Sequence, residues 1–252
     1  MMNENILELL PSILDKDEVI YLSEDFPGHY NDYKMISSDD LKSKKVFLFC
    51  KNTSANVNIK LGKYFDSSNP SYIFIGNSGG SVISLNLTGG NNFIWIGDNT
   101  KFTNLKGNFT VNRDAYFIVG KGVSSWDLKV NIAAPGCIIG DDVMFGHFVQ
   151  IRTHSGHGFL DIKTGEFNTL SKKLIIEPHV WVGEHVKIFG CELIGACSVL
   201  GYDSLITRSV GRCSIAKGHP AISTVTRDKV WSRSQKKRDL DKALYFYNKF
   251  YE

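Results

Sequence analysis

Residues 174–190 read LIIEPHVWVGEHVKIFG, and an aliphatic side chain returns at every sixth position: Ile176, Val182, Ile188. The count runs on through Ile194, Leu200 and Ile206. Four positions after each member stands a second series, Val180, Val186, Glu192, Ser198, Ser204 and Val210, small in all but Glu192. Each of these also lies two positions before the next member of the first series. Residues two apart on a strand share a face, so Val180 and Val182 should point inward together with Trp181 outward between them. An α-helix cannot generate a period of six. Each unit is instead a short strand plus a corner, the pattern of a parallel β-helix. Three such units close a triangular coil, and coils stack at the ~4.8 Å strand spacing.

Upstream the beat is looser. The pairs Ile75-Gly76, Ile96-Gly97, Val119-Gly120 and Ile139-Gly140 follow one another at intervals of 21, 23 and 19 residues, one coil plus a few inserted residues each. The Asn- and Gly-rich stretch from Asn52 to Asn131 supplies turn residues for corners. Roughly seven coils between about residue 70 and Ser214 would stack to about 30 Å. The expected architecture is an all-β solenoid with an N-terminal cap or irregular β-rich segment over 1–69 and a β-helix over 70–233. A C-terminal amphipathic helix is expected over 234–252. Leu240, Leu244, Tyr247 and Tyr251 form its apolar stripe, to be buried against the coils or another subunit. The six-beat breaks once, at His157–Ile175, then resumes in register; an excursion of 19 residues from a solenoid corner is commonly functional. Trp181, an outward indole 24 residues beyond His157, is the kind of exposed aromatic that calls for a ligand.

Composition narrows the function. Of 252 residues, 29 are basic and 26 acidic, a net charge of +3 that is too balanced to indicate a nucleic-acid partner. No apolar run approaches the ~20 residues of a transmembrane helix, and the opening MMNENILELL lacks the basic leader of a secretory signal. Five cysteines (Cys50, Cys137, Cys191, Cys197, Cys213), odd in number and without a CxxC pair, read as free thiols in a reducing cytoplasm.

The strings IRTHSGHGFLDIKTGEFN (151–168), LIIEPHVWVGEHVKI (174–188), IGACSVLGYDSLITRSV (194–210) and CSIAKGHPA (213–221) resemble the hexapeptide-repeat left-handed β-helix acetyltransferases. Among them the likeness is greatest to bacterial O-acetyltransferases of surface polysaccharides, including sialic acid capsules. It covers residues 119–233 well and the first hundred hardly at all. Left-handedness comes from the resemblance alone, because strand crossovers are normally right-handed. The resemblance further implies a homotrimer with active sites between subunits, acetyl-CoA as cosubstrate, and a glycan or polysaccharide acceptor from capsule or lipopolysaccharide. His157 stands in the family's arginine-threonine-x-x-glycine-histidine context as the catalytic histidine, with Trp181 as its catalytic and cofactor-lining companion. Gly201, Tyr202, Thr207 and Arg208 match positions that line the cofactor; Arg208 and Lys217 would meet its phosphates, and His179 would line the same groove. Ser155 replaces an aspartate common in the family, which leaves open what orients His157.

The chemistry suits the residues. A sugar hydroxyl needs a base before it attacks a thioester, and histidine titrates near neutrality. No nucleophilic serine or cysteine motif is evident, so direct transfer is expected. Two other enzymatic readings have less support. Five histidines (147, 154, 157, 179, 185) fall within 39 residues, as in the zinc-binding γ-class carbonic anhydrases, but His179 and His185, six apart, should sit on different corners; no metal is expected. N-acetylation of an amino sugar would suit a preceding nucleotide-binding domain, and residues 1–70 carry no GxGxxG turn. A non-catalytic glycan-binding scaffold is the remaining alternative.

Overall fold

The computed structural model describes residues 32–51, 55–63, 65–109 and 115–251. Their strands form four sheets: a two-stranded hairpin and three large sheets, the walls of a three-sided prism, named here faces A, B and C. Face A is built from Val46–Cys50, Ser71–Ile75, Phe93–Ile96, Tyr116–Val119, Gly136–Ile139, Leu174–Ile176 and Leu193–Ile194, paired in parallel. Face B stacks Asn56–Leu61, Val82–Leu87, Leu105–Phe109, Leu128–Ile132, Val149–Arg152, Lys187–Phe189 and Leu205–Ile206. Face C stacks Lys101–Phe102, Ser124–Ser125, Met144–Phe145, Trp181–Val182, Val199–Leu200 and Ser214–Gly218. From Phe93 onward the chain runs A, C, B and back to A. In the two turns before that, the described residues place strands only on faces A and B.

Register bears out the sixfold count. Ile176 pairs with Ile194, Val182 with Leu200 and Ile188 with Ile206, each 18 positions apart. The looser upstream beat forms one continuous column: Ile75, Ile96, Val119, Ile139 and Ile176 are successive partners. All of these side chains are buried inside the prism, as are Val180 and Val186. Truncating one of them, as in Ile188→Ala, removes transfer energy and leaves a cavity, at a cost of about 2–5 kcal/mol. Glu192 departs from its series: it is exposed and ion-paired with Lys172 at 2.8 Å.

Corners recur with the same period. The residue three after each beat takes left-handed backbone at Asp142, Phe148, His179, His185, Cys197 and Asp203, with φ between 55 and 60° apart from Asp203 at 53°. Asp, Asn and His tolerate this region better than most side chains. His179 and His185 therefore occupy successive corners, as their spacing predicts.

Face A differs from the usual alternation. Its outward column Phe74, Trp95, Ile118 and Ile138 is as buried as its inward column. Tyr33 lies over it, edge-on to Phe74 at 5.5 Å and 5.6 Å from Trp95. A strand buried on both sides reads as a continuous apolar run, and this explains SYIFI and FIWI, with VFLFC, half-buried outward at Phe47 and Phe49, at the margin of the same apolar layer. The run Val46–Phe49 is accordingly a wall strand, paired with Ser71–Phe74, so the stack reaches upstream of the boundary expected at 69/70.

The excursion expected at 157–175 is an antiparallel hairpin, His154–Leu160 against Phe167–Ser171, that leaves the stack three residues earlier than expected. The C-terminal helix spans Lys237–Phe250 and presents a different stripe to the coils from the expected one: Ala243, Phe246 and Phe250 are buried with Ala196, Cys197 and Cys213. Tyr247 packs beside that cluster, whereas Leu240, Leu244 and Tyr251 are exposed. The aromatic rings, which find partners on the coils, decide the rotation of the helix. No helix among the described residues is long and apolar enough to cross a membrane. All five cysteines are free and buried, and burial raises the Cys50 thiol to about 11 and Cys191 to about 12.

Candidate active site

His157 stands on the hairpin that leaves the corner between faces B and A. Thr153 anchors the root: its Oγ1 accepts from Ala133 N at 3.0 Å, and Lys172 N donates to Thr153 O at 2.9 Å. Beyond it the pairing slips between His154 and Gly158, so residues 155–157 form a bulge with Gly156 at φ +75°. Bulges re-aim a side chain, often beside active sites. Ser155 serves the backbone: its Oγ donates to His157 O and accepts from Leu170 N at 3.3 Å. It locks the bulge and leaves the imidazole of His157 exposed. Gly158 follows under tight constraint, since a Cβ there would lie 2.2 Å from Asn168 O.

Trp181 is on face C, 41% exposed, with Val180 and Val182 fully buried on either side. Its neighbours in the outward column are Met144 and Val199, and Trp231 lies against it at 6.1 Å. In a three-sided prism, face C lies opposite the corner between B and A. One chain therefore does not bring His157 and Trp181 together.

The remaining candidates divide the same way. Gly201 and Tyr202 follow face-C strand Val199–Leu200 at its corner with face B, and Lys217 lies beside Gly201, 3.0 Å from the Cβ a side chain there would have. Tyr202 is exposed and edge-on to His185 at 5.6 Å. Thr207 and Arg208 follow face-B strand Leu205–Ile206 at the B/A corner, two strand rungs beyond the root of the hairpin, about 10 Å. The B/A corner thus carries His157, Thr207 and Arg208, and face C with its B-side corner carries Trp181, Gly201, Tyr202 and Lys217.

His179 does not line a groove. It is buried with Nδ1 2.7 Å from Asp142 Oδ2 and Nε2 2.9 Å from Trp231 O. Both ring nitrogens are engaged, one by a carboxylate and the other by a backbone carbonyl. The ring is stacked between Trp231 at 4.2 Å and Phe246 at 5.2 Å. Asp142 also takes Arg233 Nε at 2.9 Å and Lys242 Nζ at 2.8 Å. Burial would raise this carboxyl, but the hydrogen bond from His179 and the charges of Arg233 and Lys242 outweigh it and hold it at about 2. A second clamp joins Arg212 to Glu177 by two bonds of 2.6 and 2.7 Å, with the guanidinium over Phe250. The sequence offered little sign of either clamp, since their members are 35 to 100 positions apart. His154 is structural too, bonded to Asn131 Oδ1 at 2.9 Å; burial, then the charge of Arg152, lowers its pKa. Among the described residues no group of three His, Cys, Asp or Glu side chains is placed to hold a metal ion.

The wall register and the hexapeptide corners make this a parallel β-helix, and its likeness in fold to solved hexapeptide-repeat acetyltransferases makes it left-handed. Within that class, the chain is 29% identical over 137 residues to the polysialic acid O-acetyltransferase of Escherichia coli O1:K1 / APEC, covering 54% of this chain and 44% of that protein. It is 30% identical over 129 residues to the polysialic acid O-acetyltransferase of Neisseria meningitidis, covering 43% and 60%. The chain spans about half the length of these two relatives. Among solved structures, the polysialic acid-specific acetyltransferase NeuO superposes with a TM-score of 0.58 at 22% identity, over 80% of this chain and 98% of that one. No protein-family model matches the chain.

Proposed function

We propose that this protein is an acetyl-CoA-dependent O-acetyltransferase that acts in the cytoplasm on a sugar hydroxyl of an acidic bacterial surface polysaccharide, of capsule or lipopolysaccharide, and works as a homotrimer. The observation that carries this reading is the division of the candidate residues into two half-sites on opposite parts of the prism. A base on one corner and an indole-lined wall on the other side are incomplete in one chain. They make a cleft when the B/A corner of one copy meets face C of the next.

In that cleft the His157 imidazole takes the proton of the acceptor hydroxyl, and the oxygen attacks the thioester carbonyl. The tetrahedral oxyanion collapses, the C–S bond breaks, and the imidazolium returns its proton to the departing thiolate, which leaves as CoA thiol. Trp181 supplies a flat apolar wall for the pantetheine arm or a sugar ring. Arg208 and Lys217 offer cations for the phosphates, arginine through its two-pronged fork.

The test is release of CoA thiol from acetyl-CoA with and without polysialic acid, followed by detection of acetyl ester on the polymer. Polymer-dependent thiol and ester, both lost in His157→Ala, are expected. No thiol under either condition would leave a glycan-binding scaffold as the better description.

A further inference from the structure

The three walls differ in chemistry. Face A is apolar on both sides, and face C presents Met144, Trp181 and Val199. Face B is polar and basic on its outer side. Its outward central column reads Asn58, Ser84, Lys106, Lys129, Gln150, Lys187, each the direct partner of the next. The adjoining column carries Lys60 and, four rungs further up, Arg152. Lys60, Lys106, Lys129, Arg152 and Lys187 are all exposed. No Asp or Glu stands in any of the seven strands of this face. Among the described residues these four lysines form no ion pair, whereas Lys42, Lys51, Lys172, Lys237 and Lys242 each have a carboxylate.

A near-neutral chain has thus gathered uncompensated cations on one wall. Like charges directly opposite on neighbouring strands destabilise a sheet. Lys106 and Lys129 are such a pair, one rung of about 4.8 Å apart. The arrangement becomes favourable when an anion lies across it. Side-chain amides and hydroxyls between the cations suit a ligand that is polar along its length. The ladder also has a direction: Arg152 ends the strand from which the hairpin leaves, and its Nη2 reaches Ser155 O at 3.4 Å, two residues from His157.

We propose that face B is the docking track of the acceptor, and that the acceptor is a polyanionic polysaccharide. Successive acidic groups of one chain lie along Lys106, Lys129, Lys187 and Arg152, which bring it to the hairpin carrying His157. This rests on the reading of the protein as a polysaccharide O-acetyltransferase and adds to it where the acceptor lies and why it must be acidic.

The experiment compares Lys106→Gln/Lys129→Gln/Lys187→Gln with a control of equal charge change away from the wall and the hairpin, Lys34→Gln/Lys229→Gln/Lys236→Gln. Polysialic acid binding is measured without acetyl-CoA at about 50 and 200 mM salt, and KM and kcat for the polymer are measured by thiol release. Expected for the ladder variant is an at least tenfold weaker binding and higher KM, with kcat within about threefold, an unchanged unfolding midpoint and a flattened salt dependence. The control variant should resemble the wild type. Equal loss in the control would reduce the effect to net charge and overturn the proposal. So would unaltered binding by the ladder variant, or duplex DNA bound as tightly as polysialic acid through the same lysines. Wild-type polymer binding through the ladder without thiol release would sink the enzymatic reading and leave the track standing. Thiol release with an unchanged KM in the ladder variant would do the reverse.

Discussion

The imidazole of His179 and the carboxylate of Asp142 sit 2.7 Å apart at the same corner of successive coils, both almost wholly buried. Arg233 and Lys242 reach the same carboxylate from the C-terminal segment. Four polar side chains thereby tie the last helix to the coil that launches the hairpin. Removing the shared acceptor leaves three donors without it. Breaking a fully buried pair costs about 3–5 kcal/mol; Arg233 and Lys242 can turn to water, so Asp142→Ala is expected to cost roughly 2–3 kcal/mol. Urea unfolding checks the magnitude, and faster proteolysis within residues 231–251 checks the place.

The same carboxylate predicts an acid sensitivity. Its folded pKa of about 2 lies below the unfolded value near 3.9. The stabilisation is therefore complete above about pH 4 and is lost as the pH falls through the folded value. Unfolding midpoints of the wild type and Asp142→Asn should differ by a constant amount from pH 7 to about 5 and converge between about 4 and 2. A gap that stays constant down to pH 2 would mean that Asp142 titrates normally.

Two impaired variants should rescue each other. His157→Ala is expected to lower turnover about 10²- to 10⁴-fold without altering the unfolding midpoint, because its ring is exposed. Trp181→Ala should raise KM for acetyl-CoA or acceptor. Co-expressed in equal amounts, the two should assemble some clefts with both residues intact, about a quarter of the total in a cyclic trimer. Recovery to that level supports half-sites from different chains; no recovery means each chain carries its own.

Gly158 tests the hairpin independently of the chemistry. A methyl group there meets a carbonyl oxygen at 2.2 Å, so Gly158→Ala must push the two hairpin strands apart. Activity should fall at least tenfold with the core unaffected, read as lost thiol release at an unchanged thermal midpoint.

How much of this was legible beforehand varies by element. The beat from Ile176 to Ile206 reports a side chain facing a common interior, and the register follows it residue for residue. The pairs at Ile75, Ile96, Val119 and Ile139 also declared their column, because inserted residues lengthen corners without shifting the wall. The run Val46–Phe49 reads in the sequence as part of an N-terminal cap rather than as a wall strand, because apolar residues on its outward side blur the alternation. The helix was found but rotated: Leu240 and Leu244 satisfy the period as well as Ala243 and Phe246 do, and only the stacking of Phe246 on His179 chooses between them. His157 and Trp181 were legible as anomalies, one at a lost beat and one as an outward indole. Their separation by the width of the prism needed the topology. The basic wall left a trace in the sequence, Leu105-Lys106-x-Asn108 recurring as Leu128-Lys129-x-Asn131, that means little until the two segments are known to be neighbours.

Two walls finish on reversed strands: Lys34–Met35 runs antiparallel to Val46–Cys50 on face A, and Ala221–Val225 antiparallel to Ser214–Gly218 on face C. An unfinished parallel stack is a template on which another molecule can continue the ladder, the route by which filaments lengthen. A neighbour arriving here at either tip meets at least one wall whose direction is wrong for extension. Among the described residues, end-to-end growth of the rod would therefore have to reverse strand direction on face A at one tip and on face C at the other.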